Sequence, residues 1–400
     1  MKLFDALMLR GRVLLHAGRE LTQEDVDLLR IKYARLSVRV GEPILDDVLE
    51  FEDDSHDREV ANHATGTIVR AMTHVRERFA ARASLRELNV GALHASVGQV
   101  VEYIKGNRPT AALLNSCLDT ESYLAEHPGN VFYLSMLLGS AVREYVATER
   151  DRQTIAKALR PDFAISLTPL GLGAMFLDIG MLPLEALYQA DRPLTGAEWR
   201  AVFDHPNAGA DMLPDEFSPL GKMIIKTHHE NFDGTGYPDG MPGNKLHIFT
   251  RIVRIADAYD AATARHVYTH AKSPAQVLWE MTVGPYRQYY DPVLMKVFAR
   301  LIQPFPIGAK LTLTDGRQAV VVRYNRQNPF LPVVVIAFDR DGNRLPNDKL
   351  QGPYSLEQRR DLRARLFGEE DISFIYRNTL VDTPPPRPAI MTTLFEAAFP

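Results

Sequence analysis

The chain has 400 residues, 46% hydrophobic and 24% charged, which is too long for one compact core and excludes a fibrous or disordered protein; two or three globular domains are expected. A formal charge of -4 gives no general attraction for polyanions, so duplex nucleic acid is not an expected partner. Cys117 is the single cysteine, which excludes an intrachain disulfide and a thiolate zinc cluster and leaves any metal to His, Asp and Glu.

The N-terminal MKLFDALMLRGRVLL carries Asp5, Arg10 and Arg12 where a signal peptide stays apolar, and a cytoplasmic protein is expected. Residues 12–40 read as a strand, a turn at Gly18, a helix opened by Thr22 as N-cap, and a β-branched strand, so a small α/β module is assigned to 1–56. Apolar residues at Val60, Ala64, Ile68, Met72, Val75 and Phe79 follow helical spacing, and a second helix is predicted around Val90 to Ile104. Together they form a helical connector over 57–118.

Residues 119–302 read as mostly helical and hold His127, His205, His228, His229, His247, His266 and His270. The apolar run Leu170 to Tyr188 approaches membrane length, but Asp178 lies near its middle and Pro183 interrupts it. It predicts a buried helix with a functional acid, and no membrane partner. After Pro304, β-branched runs broken by Asp-Gly turns assign a β-rich module to 303–350. A C-terminal helix and tail, with the stiff segment DTPPPRP, is assigned to 351–400. The fold class is mainly α, with a helical domain between a small α/β module and a small β-rich module.

Chemistry concentrates in the helical region. Asp257 and Asp260 in RIVRIADAYDAATAR are three residues apart, on one face of a helix that is apolar almost all round. Carboxylates so buried cost several kcal/mol unless they meet a cation or strong donors. Metal ions are the simplest such partner, because neutral imidazoles from His228 and His229 need the same one. A His and carboxylate set without thiolates suits iron, manganese, zinc or nickel. Lone histidines at His63, His74, His94 and His247 are read as structural, and Asp233 as a turn residue.

The run HHENFDGTGYPDG resembles the signature of the HD-GYP family, and HPGNV, FLDIG, DHPNAGADML and RIVRIADAYDAATARHVY resemble its other motifs in order. The resemblance covers about Glu121 to Arg300. It implies an HD-type helical bundle holding divalent metal ions, iron or manganese foremost and zinc or nickel as alternatives, that hydrolyses cyclic di-GMP. Residue by residue, His127 would bind one metal with Asp257, and Asp178 would bridge to a second held by His205, His228 and His229. Asp178 and Asp257 would thus be the catalytic carboxylates. Gly236, Tyr237 and Pro238 would edge the substrate groove, with Asp260 and His266 on the substrate side.

The chain departs from the family where Leu177 stands in place of the dyad histidine, Met181 in place of a lysine and His266 in place of an arginine. These departures imply reduced phosphodiesterase activity. The alternative is an inactive cyclic di-GMP receptor or adaptor whose GYP loop docks a diguanylate cyclase-type partner. A homodimer is also among the expected assemblies.

Overall fold

A computed structural model describes residues 88–106, 123–152, 166–188, 192–263 and 272–376 apart from 326, with short pieces before residue 88. Most of the helix expected over 57–79, the tail beyond 376, and His266 and His270 lie outside the described residues. Near the N-terminus, β1 (Lys2–Leu3) and β4 (Val40–Gly41) pair antiparallel, as do β2 (Leu7–Leu9) and β3 (Arg12–Leu15). Where a helix start is predicted, the Thr22 hydroxyl accepts from the Asp25 amide (3.1 Å) and the Asp25 carboxylate accepts from the Thr22 amide (3.0 Å). That is the reciprocal pairing of a helix cap.

Two compact units divide the chain, one containing Ser122–Leu301 and the other Ile302–Asn378. The first is helical: α1 (Val90–Gly106), α2 (Tyr123–Ala141), α3 (Arg143–Arg152), α4 (Thr168–Met175), a 3-10 segment (Ile179–Leu184), α5 (Glu185–Tyr188), α6 (Gly196–Met212), α7 (Pro219–Thr227), α8 (Ile248–Thr263), α9 (Pro274–Thr282) and α10 (Pro292–Ile302). Side chains set several starts. Thr195 and Glu198 form a capping box on α6, and Ser218 and Ser273 cap α7 and α9 ahead of Pro219 and Pro274.

Helix α8 packs on α2, and α4 packs on both α2 and α7. The shared core includes Phe132, Met136, Phe176, Phe217, Ile224, Phe249, Ile252 and Phe298. Each such side chain, fully buried, contributes roughly 1.5–3 kcal/mol relative to exposure. A buried ion network ties the far end of α8 to its neighbours: Arg251 Nη1 donates to Glu149 of α3 (2.8 Å) and Asp291 (3.1 Å), and Arg251 Nε donates to the Leu246 carbonyl. Asp291 also accepts from the Val293 amide at 2.9 Å, capping α10.

The run Leu170 to Tyr188 is not the single helix expected. The α-helix stops at Met175, and the chain turns through Phe176–Asp178 into the 3-10 segment. Pro183 cannot donate to a continuing α-ladder, and Gly180 lets the turned backbone pass against α6. Thr168–Leu187 has the length and hydropathy of a membrane span, yet 72% of that window is buried inside the protein.

The second unit is an antiparallel sheet in the order β10-β9-β5-β6-β7-β8, from β5 (Lys310–Leu313), β6 (Gln318–Arg323), β7 (Val333–Phe338), β8 (Gln351–Ser355), β9 (Ala364–Phe367) and β10 (Glu370–Asp371). The C-terminal helix assigned from residue 351 is therefore corrected to strands that extend this sheet. Leu356 and Leu362 are buried in this unit, and the ladders of β8 on β7 and β9 on β5 satisfy the backbone there.

Candidate metal centre

Five elements bring the imidazoles and carboxylates of the helical unit together. Asp178 sits at the start of the 3-10 segment, which lies so close to α6 that a β-carbon on Gly180 would fall 2.1 Å from the His205 carbonyl oxygen. Only glycine tolerates that approach. His205 comes from α6, His228 ends α7 and His229 follows it, while Asp257 and Asp260 project from α8. His127, with Pro128 after it, lies within α2 opposite α8.

Ligand atoms of Asp178, His205, His228 and His229 all lie within 4.8 Å of one another. Asp178 Oδ1 is 3.3 Å from His205 Nε2 and 3.8 Å from His228 Nε2. The two histidines are oriented by backbone: His205 Nδ1 donates to the Val202 carbonyl and His228 Nδ1 to the Ile225 carbonyl, each at 2.6 Å. A carbonyl only accepts, so both Nδ1 atoms carry the proton and both Nε2 atoms turn toward Asp178. They stand 3.3 Å apart.

Burial, with the neighbouring His205 charge adding to it, lowers the His228 pKa to about 4. His229 is held well below the ordinary imidazole value, first by burial and then by His228, His205 and Arg254. Neutral imidazoles aimed at one carboxylate form a donor set for a divalent cation. Burial pushes Asp178 upward, but hydrogen bonding from His205 and the charges of His127, His205 and His228 hold it well below the usual carboxylate range.

His127 is bound differently. Its Nδ1 meets Asp260 Oδ2 at 2.7 Å and its Nε2 meets Asp257 Oδ1 at 3.1 Å, with Asp178 Oδ2 at 3.7 Å. Burial lowers its pKa, yet hydrogen bonds to Asp257 and Asp260 and the nearby carboxylate charges raise it well above the ordinary value. The buried acids of α8 thus meet the His127 ring on both its nitrogens, and Asp257 also has Arg254 Nη1 at 3.5 Å. Asp260 is buried and faces His127.

The loop from His229 to Met241 is fixed from within. The Glu230 carboxylate accepts from the amides of Asp239 (2.7 Å) and Met241 (2.9 Å), and Asp233 Oδ1 from the Thr235 amide and hydroxyl. A β-carbon on Gly236 would fall 2.4 Å from the His229 carbonyl oxygen. The Tyr237 ring stacks on His229 (4.7 Å between centroids, 30°) and meets Phe203 edge-on at 5.0 Å. Pro238 is exposed at the rim. Leu177 and Met181, two of the three departures, are buried.

Arg254, Asn231 and Glu230 have no place in the sequence reading, although Arg254 precedes Asp257 by three residues and so shares its helix face. Asn231 and Glu230 stand inside the HHENF run and look like loop filler until their hydrogen bonds are seen.

Residues 137–294 match the HD domain family, a match that begins after His127. The chain is 30% identical over 171 residues to the cyclic di-GMP phosphodiesterase PA4108 of Pseudomonas aeruginosa, covering 42% of this chain and 41% of that protein. It is 26% identical over 211 residues to a cyclic di-GMP phosphodiesterase of Thermotoga maritima, covering 50% and 56%. A 3'3'-cGAMP-specific phosphodiesterase 3 of Vibrio cholerae is 38% identical over 101 residues, 24% of this chain and 22% of that protein. The chain spans less than two thirds of the length of each of these relatives. Residues 137–294 of the helical unit are thus similar to HD domains, and these relatives, two of them named cyclic di-GMP phosphodiesterases, support an HD-GYP-like family for that unit.

Proposed function

We propose that the helical unit is a metal-dependent phosphodiesterase acting on a cyclic dinucleotide, with cyclic di-GMP as the first substrate to test. The observation that carries this reading is the convergence of Asp178, His205, His228 and His229, with the Nε2 atoms of His205 and His228 3.3 Å apart and both turned toward one carboxylate. Two ring nitrogens at 3.3 and 3.8 Å from one carboxylate oxygen make a nitrogen and oxygen donor set that fits a divalent ion. Iron or manganese leads, with zinc or nickel also compatible with nitrogen and oxygen donors. When bound, such an ion stabilises charge on phosphate oxygens and acidifies water.

The residues of the chain do the rest. Asp178, His205, His228 and His229 would hold the ion, and the carbonyls of Val202 and Ile225 keep two of the rings in the ligating tautomer. Asp257 lies between His127 and Arg254, where it would complete the metal shell. Asp260 acts through His127 by fixing its ring, in place of a direct contact with substrate. Gly236, Tyr237 and Pro238 would form the rim of the groove.

The test is elemental analysis of anaerobically purified full chain, with chromatographic assay of cyclic di-GMP and 3'3'-cGAMP turnover in added manganese or iron. Conversion of either to a linear dinucleotide or mononucleotide is expected. A metal-loaded chain that neither binds nor cleaves them would overturn the reading. A receptor or adaptor docking a cyclase-type partner is the second reading, favoured by the burial of uncharged Leu177 and Met181 beside the cluster; binding without turnover would establish it.

A further inference from the structure

Two arginines three residues apart on α8 are used in opposite ways. Arg251 is buried, and its guanidinium is committed to Glu149, Asp291 and the Leu246 carbonyl. Arg254 keeps 14% of its side chain exposed. Its Nε donates to Asn231 Oδ1 at 3.0 Å, and its guanidinium lies 5.5 Å from the centre of the Tyr290 ring. Those two contacts fix the plane of the group from one edge and one face.

The other edge is not committed in the same way. Nη1 approaches Asp257 Oδ2 at 3.5 Å, at the outer limit of a hydrogen bond, whereas an arginine pairing fully with a carboxylate makes two bonds at about 2.7–2.9 Å. Among the described residues, no acceptor lies against Nη2. His229 Nδ1 lies 3.6 Å from the same Asp257 oxygen, so the guanidinium sits directly beside the candidate metal cluster. The cluster also concentrates the carboxylates of Asp178, Asp257 and Asp260, which repel an approaching phosphodiester. His127 cannot offset this for a ligand, since both its ring nitrogens face those acids.

We infer that Arg254 is a substrate-positioning residue that binds a phosphate oxygen of the ligand through its Nη1 and Nη2 edge, held in register by Asn231 and Tyr290. The nature of the ligand rests on the phosphodiesterase reading above. The anion site itself does not. A planar fork with a pre-set edge suits a phosphate better than a mobile ammonium would.

The test compares metal-loaded full-length wild type, Arg254→Ala and Arg254→Lys by calorimetric binding of inorganic phosphate and by KM and kcat for cyclic di-GMP. Arg254→Ala should weaken phosphate binding and raise KM by about 10-fold or more, the size of a lost charge-assisted contact, with metal content unchanged. Arg254→Lys should recover part of the phosphate affinity. The inference is overturned if wild type binds no phosphate, or if Arg254→Ala binds it as wild type does. It is equally overturned if Arg254→Ala loses metal and thermal stability and Arg254→Lys restores neither, since Arg254 would then only brace Asp257. A wild type that binds phosphate through Arg254 yet ignores cyclic di-GMP removes the phosphodiesterase reading and leaves this one standing.

Discussion

His205 Nε2 and His228 Nε2 face each other at 3.3 Å, and the opposite nitrogen of each ring is spent on a backbone carbonyl of its own helix. Neither ring can turn away without breaking a hydrogen bond and leaving a buried carbonyl unpaired, so the pair is organised for a cation before one arrives.

From that pairing, the purified protein should hold close to one tightly bound metal per chain, on Asp178, His205, His228 and His229. His228→Ala should remove most of it, and His127→Ala should change it little, because the His127 nitrogens are taken by Asp257 and Asp260. Elemental analysis decides, and two tightly held ions in wild type would refute the single-site expectation.

Gly180→Ala should destabilise the helical unit by about 1–3 kcal/mol, the usual cost of overpacking. The added β-carbon would meet the His205 carbonyl at 2.1 Å and the Gly209 amide nitrogen at 2.8 Å, and both belong to backbone that cannot rotate aside. Denaturant unfolding measures the loss. Metal content should fall with it, because the displaced segment begins at Asp178; a variant of normal stability with full metal would show that the contact relaxes easily.

The motif residues and the carboxylate pair of α8 were legible in the sequence because charge on an apolar helix needs an explanation. Arg254 is visible only as one cation among many, although it stands three residues before Asp257, and no local pattern places His127 between Asp257 and Asp260. Pairings across 130 and 133 positions follow from the packing of α2 on α8, which no local pattern encodes. The break at Phe176–Asp178 was masked by hydrophobicity, since an apolar run reads the same whether it is straight or folded back. Strands β8 and β9 were hidden because both are short and largely exposed or half-buried, and only the ladders of the sheet define them.

Helix α6, which carries His205, is opened by an exposed cluster in which Arg192 pairs with Glu198 and Thr195 exchanges hydrogen bonds with it. The Arg192 hydrogen bond first, then the Thr195 amide and hydroxyl, lower the Glu198 pKa from an ordinary 4.5 to about 2. A depressed carboxylate contributes stability that is full above its unfolded value and lost as pH falls through the folded one. Wild type should therefore exceed Glu198→Gln in stability at neutral pH, with the gap shrinking from about pH 4.5 toward 2. Chemical denaturation at pH 7, 5 and 3.5 checks the trend, and a gap independent of pH would assign the cap to uncharged hydrogen bonding alone.

Tyr237 stacks on His229, so its ring both edges the loop and covers a metal-ligand candidate. Tyr237→Ala should weaken metal retention modestly, by about 0.5–1.5 kcal/mol as for other aromatic pairs, while Tyr237→Phe retains it. Competition with a chelator measures this. If Tyr237→Ala holds metal as wild type does but binds cyclic di-GMP less tightly, the ring serves the nucleotide and the stack on His229 is incidental.

The sharpest substitution is Leu177→His. Leu177 is fully buried, next in sequence to Asp178, at the turn between α4 and the 3-10 segment. A histidine there would put an imidazole beside a carboxylate whose other oxygen, Oδ2, already lies 3.7 Å from His127. In the metal-free protein, burying that imidazole without a partner should cost about 1–3 kcal/mol. Added manganese or iron should reverse the loss, since an ion bound only by the folded state stabilises it in proportion to the logarithm of its concentration over Kd. The expected pattern is a lower thermal midpoint than wild type without metal, a larger rise with it, and a second ion by elemental analysis. A second ion without a gain in cyclic di-GMP hydrolysis would mean that charge at Met181, buried and neutral here, limits turnover more than ligand count does. If the variant neither recovers with metal nor binds another ion, Leu177 packs in the core and lies outside reach of the metal shell.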